Sequence, residues 1–361
     1  MPEIDCGAED RPGDDGVSRT DALSAGCADA NHPIEEATDV HPRYKPQKGP
    51  FTWMTIDCLT LRDESRGKDL PLRVSFPAED GVFPVILFSH GASGSKDAYR
   101  PLIKHWVSHG YICIQPTHSD SLMLLPREER RKYASLIAYI SSPYVREQWL
   151  SRAEDIRFVI DRLADVAAAS GLCDRLDASR IGMGGHSFGS QTSQLIAGMS
   201  LQLPDRTGRF AIADPRPIAF VMLSPQGMGG TIDEHSWAGM TRPVMMATGS
   251  HDNSSKGLPY TWRLEAFARV PAHDKYLLMI EGGHHDFGGI SGARYSWAGP
   301  HNHKHVEWVN AATVAFWDAQ LKDDAGASDF LRSGRMLRAS HGAAEIRSPR
   351  RDDPLRPDSG G

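Results

Sequence analysis

Six short apolar runs, separated by stretches long enough for helices or long loops, restrict the folds open to this chain. They cover residues 82–89, 111–116, 181–184, 218–223, 244–247 and 276–280. A run that is apolar along its whole length is a strand buried on both faces, and helical crossovers return the chain parallel to itself. The helices are expected at 97–109, about 145–169, 188–199, 262–268 and 305–321. In the second of these, Ile156, Val159, Ile160 and Leu163 recur at i, i+3, i+4 and i+7, one apolar stripe, and Gly171 is placed to end it. Residues 52–61 and 72–77 read as a hairpin-like pair ahead of the first crossover. The fold class is therefore α/β, a mostly parallel central sheet with helices on both faces. Sites in such sheets form beyond the C-terminal ends of the strands.

One strand end carries Gly185-His-Ser-Phe-Gly189, a G-x-S-x-G pattern between a short apolar run and a helical one. Small residues two before and two after a serine allow a sharp strand-to-helix turn that projects the hydroxyl from the sheet edge. The free N–H groups of the following helix point to the same spot. Ser187 is thus the candidate nucleophile. A serine hydroxyl needs a base to take its proton and a carboxylate to orient that base. Asp252 stands in a loop just past run 244–247, with Asp233 and Asp286 as competitors for its role. The last strand ends in Glu281-Gly-Gly-His-His-Asp-Phe287. His284 is preferred as the base, because the Gly282-Gly283 pair before it lets the loop turn toward Ser187; His285 is the alternative. The order Ser, Asp, His along the chain is that of α/β-hydrolases. For the oxyanion hole, the backbone N–H of Phe188 is one expected donor. The second is that of Ala92, with Ser93 as fallback, in the loop Ser89-His-Gly-Ala-Ser93. His90 is read as a brace of that loop and His186 as a packed or hydrogen-bonded neighbour. Met228, Trp237 and Trp297 are candidates for the acyl pocket wall, with core packing as their other reading.

The rest of the chain narrows the function classes. Forty basic against 46 acidic residues give a formal charge of −6, and the only basic clusters are 127–132 and 347–351, so no nucleic-acid partner is expected. No run is long enough to span a bilayer and no apolar signal region opens the sequence, so a cytoplasmic location is expected. The five cysteines, Cys6, Cys27, Cys58, Cys113 and Cys173, are scattered and read as reduced thiols. His301, His303 and His305 are spaced by two, which aligns side chains on a strand, yet they run into a helix; no metal is expected. Residues 1–48 read as a flexible leader, 49–338 as one catalytic domain and 339–361 as a tail, with 119–144 an insertion that reads equally as a partial lid or as a peripheral helix pair.

Leu59-Thr-Leu-Arg-Asp63, Leu70-Pro-Leu-Arg-Val-Ser-Phe-Pro77, Phe83-Pro-Val-Ile-Leu-Phe-Ser-His-Gly91 and Gly110-Tyr-Ile-Cys-Ile-Gln-Pro-Thr-His118 carry a resemblance. With the Gly-His-Ser-Phe-Gly turn, the chain from about 52 to 331 resembles the dienelactone-hydrolase-like α/β-hydrolases related to platelet-activating-factor acetylhydrolases and cutinase-like polyesterases. The resemblance implies a Ser-His-Asp carboxylic ester hydrolase that needs no cofactor; the substrate expected for this chain is a small or medium ester. True dienelactone hydrolases carry a cysteine nucleophile, so Ser187 points away from dienelactones. An acyltransferase or peptidase on the same triad, or a non-catalytic binding protein of this fold, are the competing readings.

Overall fold

The computed structural model describes residues 44–349, apart from 134, 136–137, 140–141, 205–206 and 293–298. Two strands, β1 (Trp53–Asp63) and β2 (Lys68–Pro77), form an antiparallel hairpin. Then come β3 (Phe83–Ser89), α1 (Arg100–Ser108), β4 (Ile112–Pro116), the short α2 (Arg127–Arg130), α3 (Pro143–Asp161) and α4 (Leu163–Ala169). The elbow strand β5 (Leu176–His186) leads into α5 (Phe188–Ala197), followed by a small ribbon of β6 (Ser200–Gln202) and β7 (Arg209–Ala211). The chain ends with β8 (Pro217–Leu223), β9 (Val244–Gly249), α6 (Thr261–Arg269), β10 (Lys275–Ile280), α7 (His303–Leu321), α8 (Ala325–Arg332), α9 (Arg335–Ala339) and β11 (Ala344–Arg347).

The main sheet has the order β1-β2-β4-β3-β5-β8-β9-β10-β11. Its six inner strands, β4 to β10, run parallel, and antiparallel partners flank them at both ends. Alternate residues divide the core in two. Val85, Leu87, Met183, Phe220, Met222 and Met246 face the layer that includes α3. Ile86, Phe88, Val221, Leu223, Met245 and Ala247 face α1 and α7. On β5 the second face is glycine: a Cβ at Gly182 would stand 2.7 Å from the Trp317 ring, so its absence seats α7 against the sheet.

Several boundaries differ from the sequence reading. The expected helix 145–169 is two helices, interrupted at Arg162, whose φ of −109° and ψ of 18° leave the helical region. Ordered packing begins within the expected leader, where the Tyr44 hydroxyl donates to Asp318 Oδ2 at 2.6 Å. The expected tail contains β11, which pairs with β10; Ala-Glu-Ile-Arg is too short and charged to read as a strand, as suits a sheet edge. None of the described residues of 119–144 lines the site cavity, and the remainder of that segment lies outside the described residues. Cys6, Cys27 and Trp297 also lie outside them.

Candidate active site

Ser187 sits at φ 56°, ψ −116°, a conformation L-residues rarely adopt. The two glycines of the pattern explain how the chain holds it. A Cβ at Gly185 would stand 2.1 Å from the Gly189 carbonyl oxygen, and one at Gly189 would stand 1.9 Å from that of Ser89. The Ser187 N–H donates to Leu223 O at 2.9 Å, tying the turn to the end of β8.

Beside the hydroxyl stands His285, whose Nε2 is 2.9 Å from Ser187 Oγ. Its Nδ1 is 2.7 Å from Asp252 Oδ1. The serine proton can only be received at Nε2, so the hydrogen on Nδ1 points at the carboxylate. The other carboxylate oxygen accepts from Ser224 Oγ at 2.6 Å and Thr248 Oγ1 at 3.1 Å. Burial opposes the charged form of Asp252, but the Arg263 guanidinium, the His285 ring and these hydrogen bonds outweigh it and hold the carboxyl below its ordinary range. Arg263, itself buried, has Nε 2.9 Å from Asp252 Oδ1 and donates to Ser224 O and Pro225 O.

The structure thus brings Ser187 and Asp252 together through His285, and the preference for His284 is corrected. The two glycines before it serve different ends: Gly282 turns the chain at φ 68°. Gly283 packs against Gly249, where a Cβ would meet the Gly283 carbonyl oxygen at 2.2 Å, and that oxygen accepts from His251 N. The loop needs one more residue to reach the Asp252 side, so His284 falls outside the run and meets His251 edge to face, with ring centroids 5.0 Å apart. The competing acids lie elsewhere. Asp233 pairs with Arg209 near the surface, and Asp286 accepts from Ser291 N and Oγ. Trp237 is a correction as well: it is fully buried in the core and donates to Gln194 Oε1 at 2.7 Å, away from the cavity wall.

Ala92 and Phe188 both line the cavity above Ser187, and among the described residues neither amide has an acceptor. The fallback donor is committed, since Ser93 N donates to Asp120 Oδ2 at 3.0 Å. His186 takes part in a chain of hydrogen bonds across the site. Gly91 N donates to the Tyr99 hydroxyl, which donates to His186 Nδ1 at 2.8 Å, while His186 Nε2 donates to His285 O at 2.7 Å. Burial, then the neighbouring His285, pushes His186 down to about 3, which keeps it neutral in this role.

A second Ser-His-Asp array lies beneath the oxyanion loop. His118 Nε2 is 2.9 Å from Ser89 Oγ, and its Nδ1 is 2.8 Å from Asp155 Oδ2. All three side chains are inaccessible to solvent, and burial leads in pushing His118 down to about 4. No ester can reach Ser89, so the array is a brace.

The cavity encloses about 880 Å³. Trp149, Met228, Ile232, Leu258 and Trp262 give it an apolar wall, and Gln191, Gln226, Asn253 and Ser254 a polar one. Sequence reasoning missed Trp149, Trp262 and Arg263, none of which belongs to a local pattern. The sheet order, the elbow at Ser187 and the Ser-His-Asp geometry define an α/β-hydrolase fold. Residues 44–203, less than half of the chain, match the family model described as Chlorophyllase. Over 69 residues the chain is 38% identical to chlorophyllase-1, chloroplastic, of Citrus unshiu, which covers 19% of this chain and 21% of that protein. It is 33% identical to chlorophyllase-1 of Arabidopsis thaliana over 67 residues, 19% of this chain and 20% of the relative. With chlorophyllase type 0 of Chenopodium album it shares 33% identity over 85 residues, 24% and 23% of the two chains. The matches span about a fifth to a quarter of these relatives' length.

Proposed function

We propose that the chain is a serine carboxylic ester hydrolase. The observation that carries this reading is the unbroken run from Ser187 Oγ through His285 to Asp252, opening on an 880 Å³ cavity. Ser187 attacks the ester carbonyl while His285 Nε2 takes its proton. Asp252 keeps the imidazole in the reactive tautomer and offsets its developing charge. The Ala92 and Phe188 amides receive the oxyanion of the tetrahedral intermediate. His285 then protonates the leaving alcohol, and water attacks the acyl-enzyme by the same route in reverse.

The substrate we propose is an ester with a bulky, largely apolar acyl part. A cavity of this volume exceeds the needs of an acetyl group, and its wall carries two tryptophans. The relatives are named chlorophyllases, so chlorophyll is the first candidate of this class. The resemblance to dienelactone-hydrolase-like and platelet-activating-factor acetylhydrolase-like esterases supports the acyl chemistry without the size of the acyl group.

The test is hydrolysis of p-nitrophenyl esters of graded acyl length and of chlorophyll by the wild type, Ser187→Ala, His285→Ala and His284→Ala. Loss on the order of 10⁶-fold is expected for Ser187→Ala and His285→Ala. His284→Ala is expected within a few-fold of wild type on short esters. Full activity in Ser187→Ala would sink the proposal, and a preference for acetyl over all longer acyl groups would sink its substrate class.

A further inference from the structure

Arg152 lies on the buried face of α3 and reaches the loop opposite Ser187. Its Nη1 donates to His90 O at 2.6 Å and its Nη2 to Gly91 O at 3.2 Å. On the same guanidinium, Nε and Nη2 each donate to an Asp120 carboxylate oxygen at 2.7 Å. Asp120 in turn accepts from Ser93 N at 3.0 Å. One buried ion pair therefore grips the loop on both sides of Ala92.

The geometry of the peptide group turns this grip into a statement about catalysis. The Gly91 carbonyl and the Ala92 N–H belong to one planar trans unit, so the N–H points opposite to the C=O. Three donors converge on that carbonyl: the loop's own Gly94 N at 3.1 Å, and from the buried side Arg152 Nη2 and His90 Nδ1, the last at 2.7 Å. His90 Nε2 accepts from His118 N, which fixes the hydrogen on Nδ1. With the carbonyl held toward the buried arginine, the Ala92 N–H is turned toward the cavity. Donation to the carbonyl also polarises the unit and strengthens the N–H as a donor. The same guanidinium lies 4.4 Å from the centroid of the Phe188 ring, the side chain of the other amide donor.

We infer that Arg152 is the positioning residue of the oxyanion hole, holding the Gly91–Ala92 peptide and the Phe188 side chain in the arrangement that meets a tetrahedral intermediate. It touches neither substrate nor Ser187. The inference rests on the serine-hydrolase reading and adds to it a residue with a role of its own. Asp120 holds Arg152 in place: burial raises its carboxyl, but the charge and hydrogen bonds of Arg152 prevail and keep it ionised.

The experiment uses the full chain as Arg152→Ala, with Arg152→Lys beside it and Ser187→Ala as control. For Arg152→Ala, kcat on p-nitrophenyl butyrate should fall about 10²-fold, the loss typical of one oxyanion donor, while KM changes by less than about threefold. The affinity of a trifluoromethyl ketone, which forms the tetrahedral adduct on the serine, should fall in step with kcat. Guanidinium ion at non-denaturing concentration should restore part of kcat, and sodium chloride at equal ionic strength should not. Arg152→Lys keeps the charge but not the fork that holds two carbonyls and a carboxylate, so it should show the same paired loss to a smaller degree. If Arg152→Ala does not fold, Arg152→Lys decides. Wild-type kcat and ketone affinity in the folded variant, or a fall in kcat without a matching fall in ketone affinity, would overturn the inference. Activity retained in Ser187→Ala would instead bring down the serine-hydrolase reading beneath it.

Discussion

Two buried arginine–aspartate pairs flank Ser187, and they distribute the same chemistry differently. On the oxyanion side, both Asp120 oxygens are taken by Arg152 and Ser93 N, and the arginine spends its remaining donors on the His90 and Gly91 carbonyls. On the base side, Asp252 gives Oδ2 to two hydroxyls and keeps Oδ1 for His285 and Arg263. The first pair shapes the backbone and the second presents a carboxylate to a ring that must gain and lose a proton. Removing one partner of either pair leaves an uncompensated buried charge, so the two are matched in stability and separated by function.

Identical substitutions at the two acids should therefore break the symmetry. Asp252→Asn and Asp120→Asn each strand a buried arginine, and each is expected to cost about 3–5 kcal/mol in chemical denaturation. On p-nitrophenyl butyrate, Asp252→Asn should lose about 10⁴-fold in kcat, because an amide holds the wrong imidazole tautomer. Asp120→Asn should lose no more than about 10²-fold, the worth of one donor. Equal kinetic losses would show that the two pairs do not divide the work as their hydrogen bonds suggest.

The two sides also differed in how far the sequence revealed them. The G-x-S-x-G turn and the strand end before Asp252 are local patterns, and both residues fall where those patterns put them. The base slipped by one position, because Gly282 makes the turn at φ 68° while Gly283 serves contact with Gly249 across the sheet, which no local window contains. Arg152 left a readable trace: it stands four residues before Ile156, on the apolar stripe of the helix, where a charge demands a buried partner. Its partner Asp120 is 32 residues away in sequence, and nothing near either residue names the other. Trp237 and the strand Ala344–Arg347 failed for a related reason, since long-range packing decides between core and pocket and between tail and sheet edge.

Acid should loosen both sides through buried histidines held neutral, His90 and His118 on the oxyanion side and His186 on the base side. His118 braces the oxyanion loop from below and His186 ties the base loop to Tyr99. Each is neutral in the fold, pushed from 6.5 down to about 4 and about 3 with burial as the leading cause. Below about pH 6.5 the unfolded chain binds protons that the folded chain does not, so stability falls as pH falls toward 4. Each histidine adds a slope of about 1.4 kcal/mol per pH unit inside that window. His186→Gln should therefore lose less stability than wild type between pH 6.5 and 4.5, as read from urea midpoints. An unchanged difference would mean that His186 is protonated in the fold.

Asp286, the residue after the base, works against those histidines and supplies the smallest effect. Burial pushes its carboxyl from 3.8 up to about 6, in opposition to its hydrogen bonds from Ser291. Here the folded chain binds the proton more tightly than the unfolded one, so this contribution is present at low pH and is lost as pH rises from about 4 through about 6. In that window its slope is opposite in sign to that of His118 and His186 and cancels part of it. Asp286→Asn removes the cancellation. The variant should gain stability over wild type at pH 7.5 relative to pH 4.5, making its acid loss steeper where that of His186→Gln becomes shallower. If Asp286→Asn instead flattens the profile, the carboxylate is ionised in the fold, and the base loop carries a buried charge that its contacts with Ser291 have to hold.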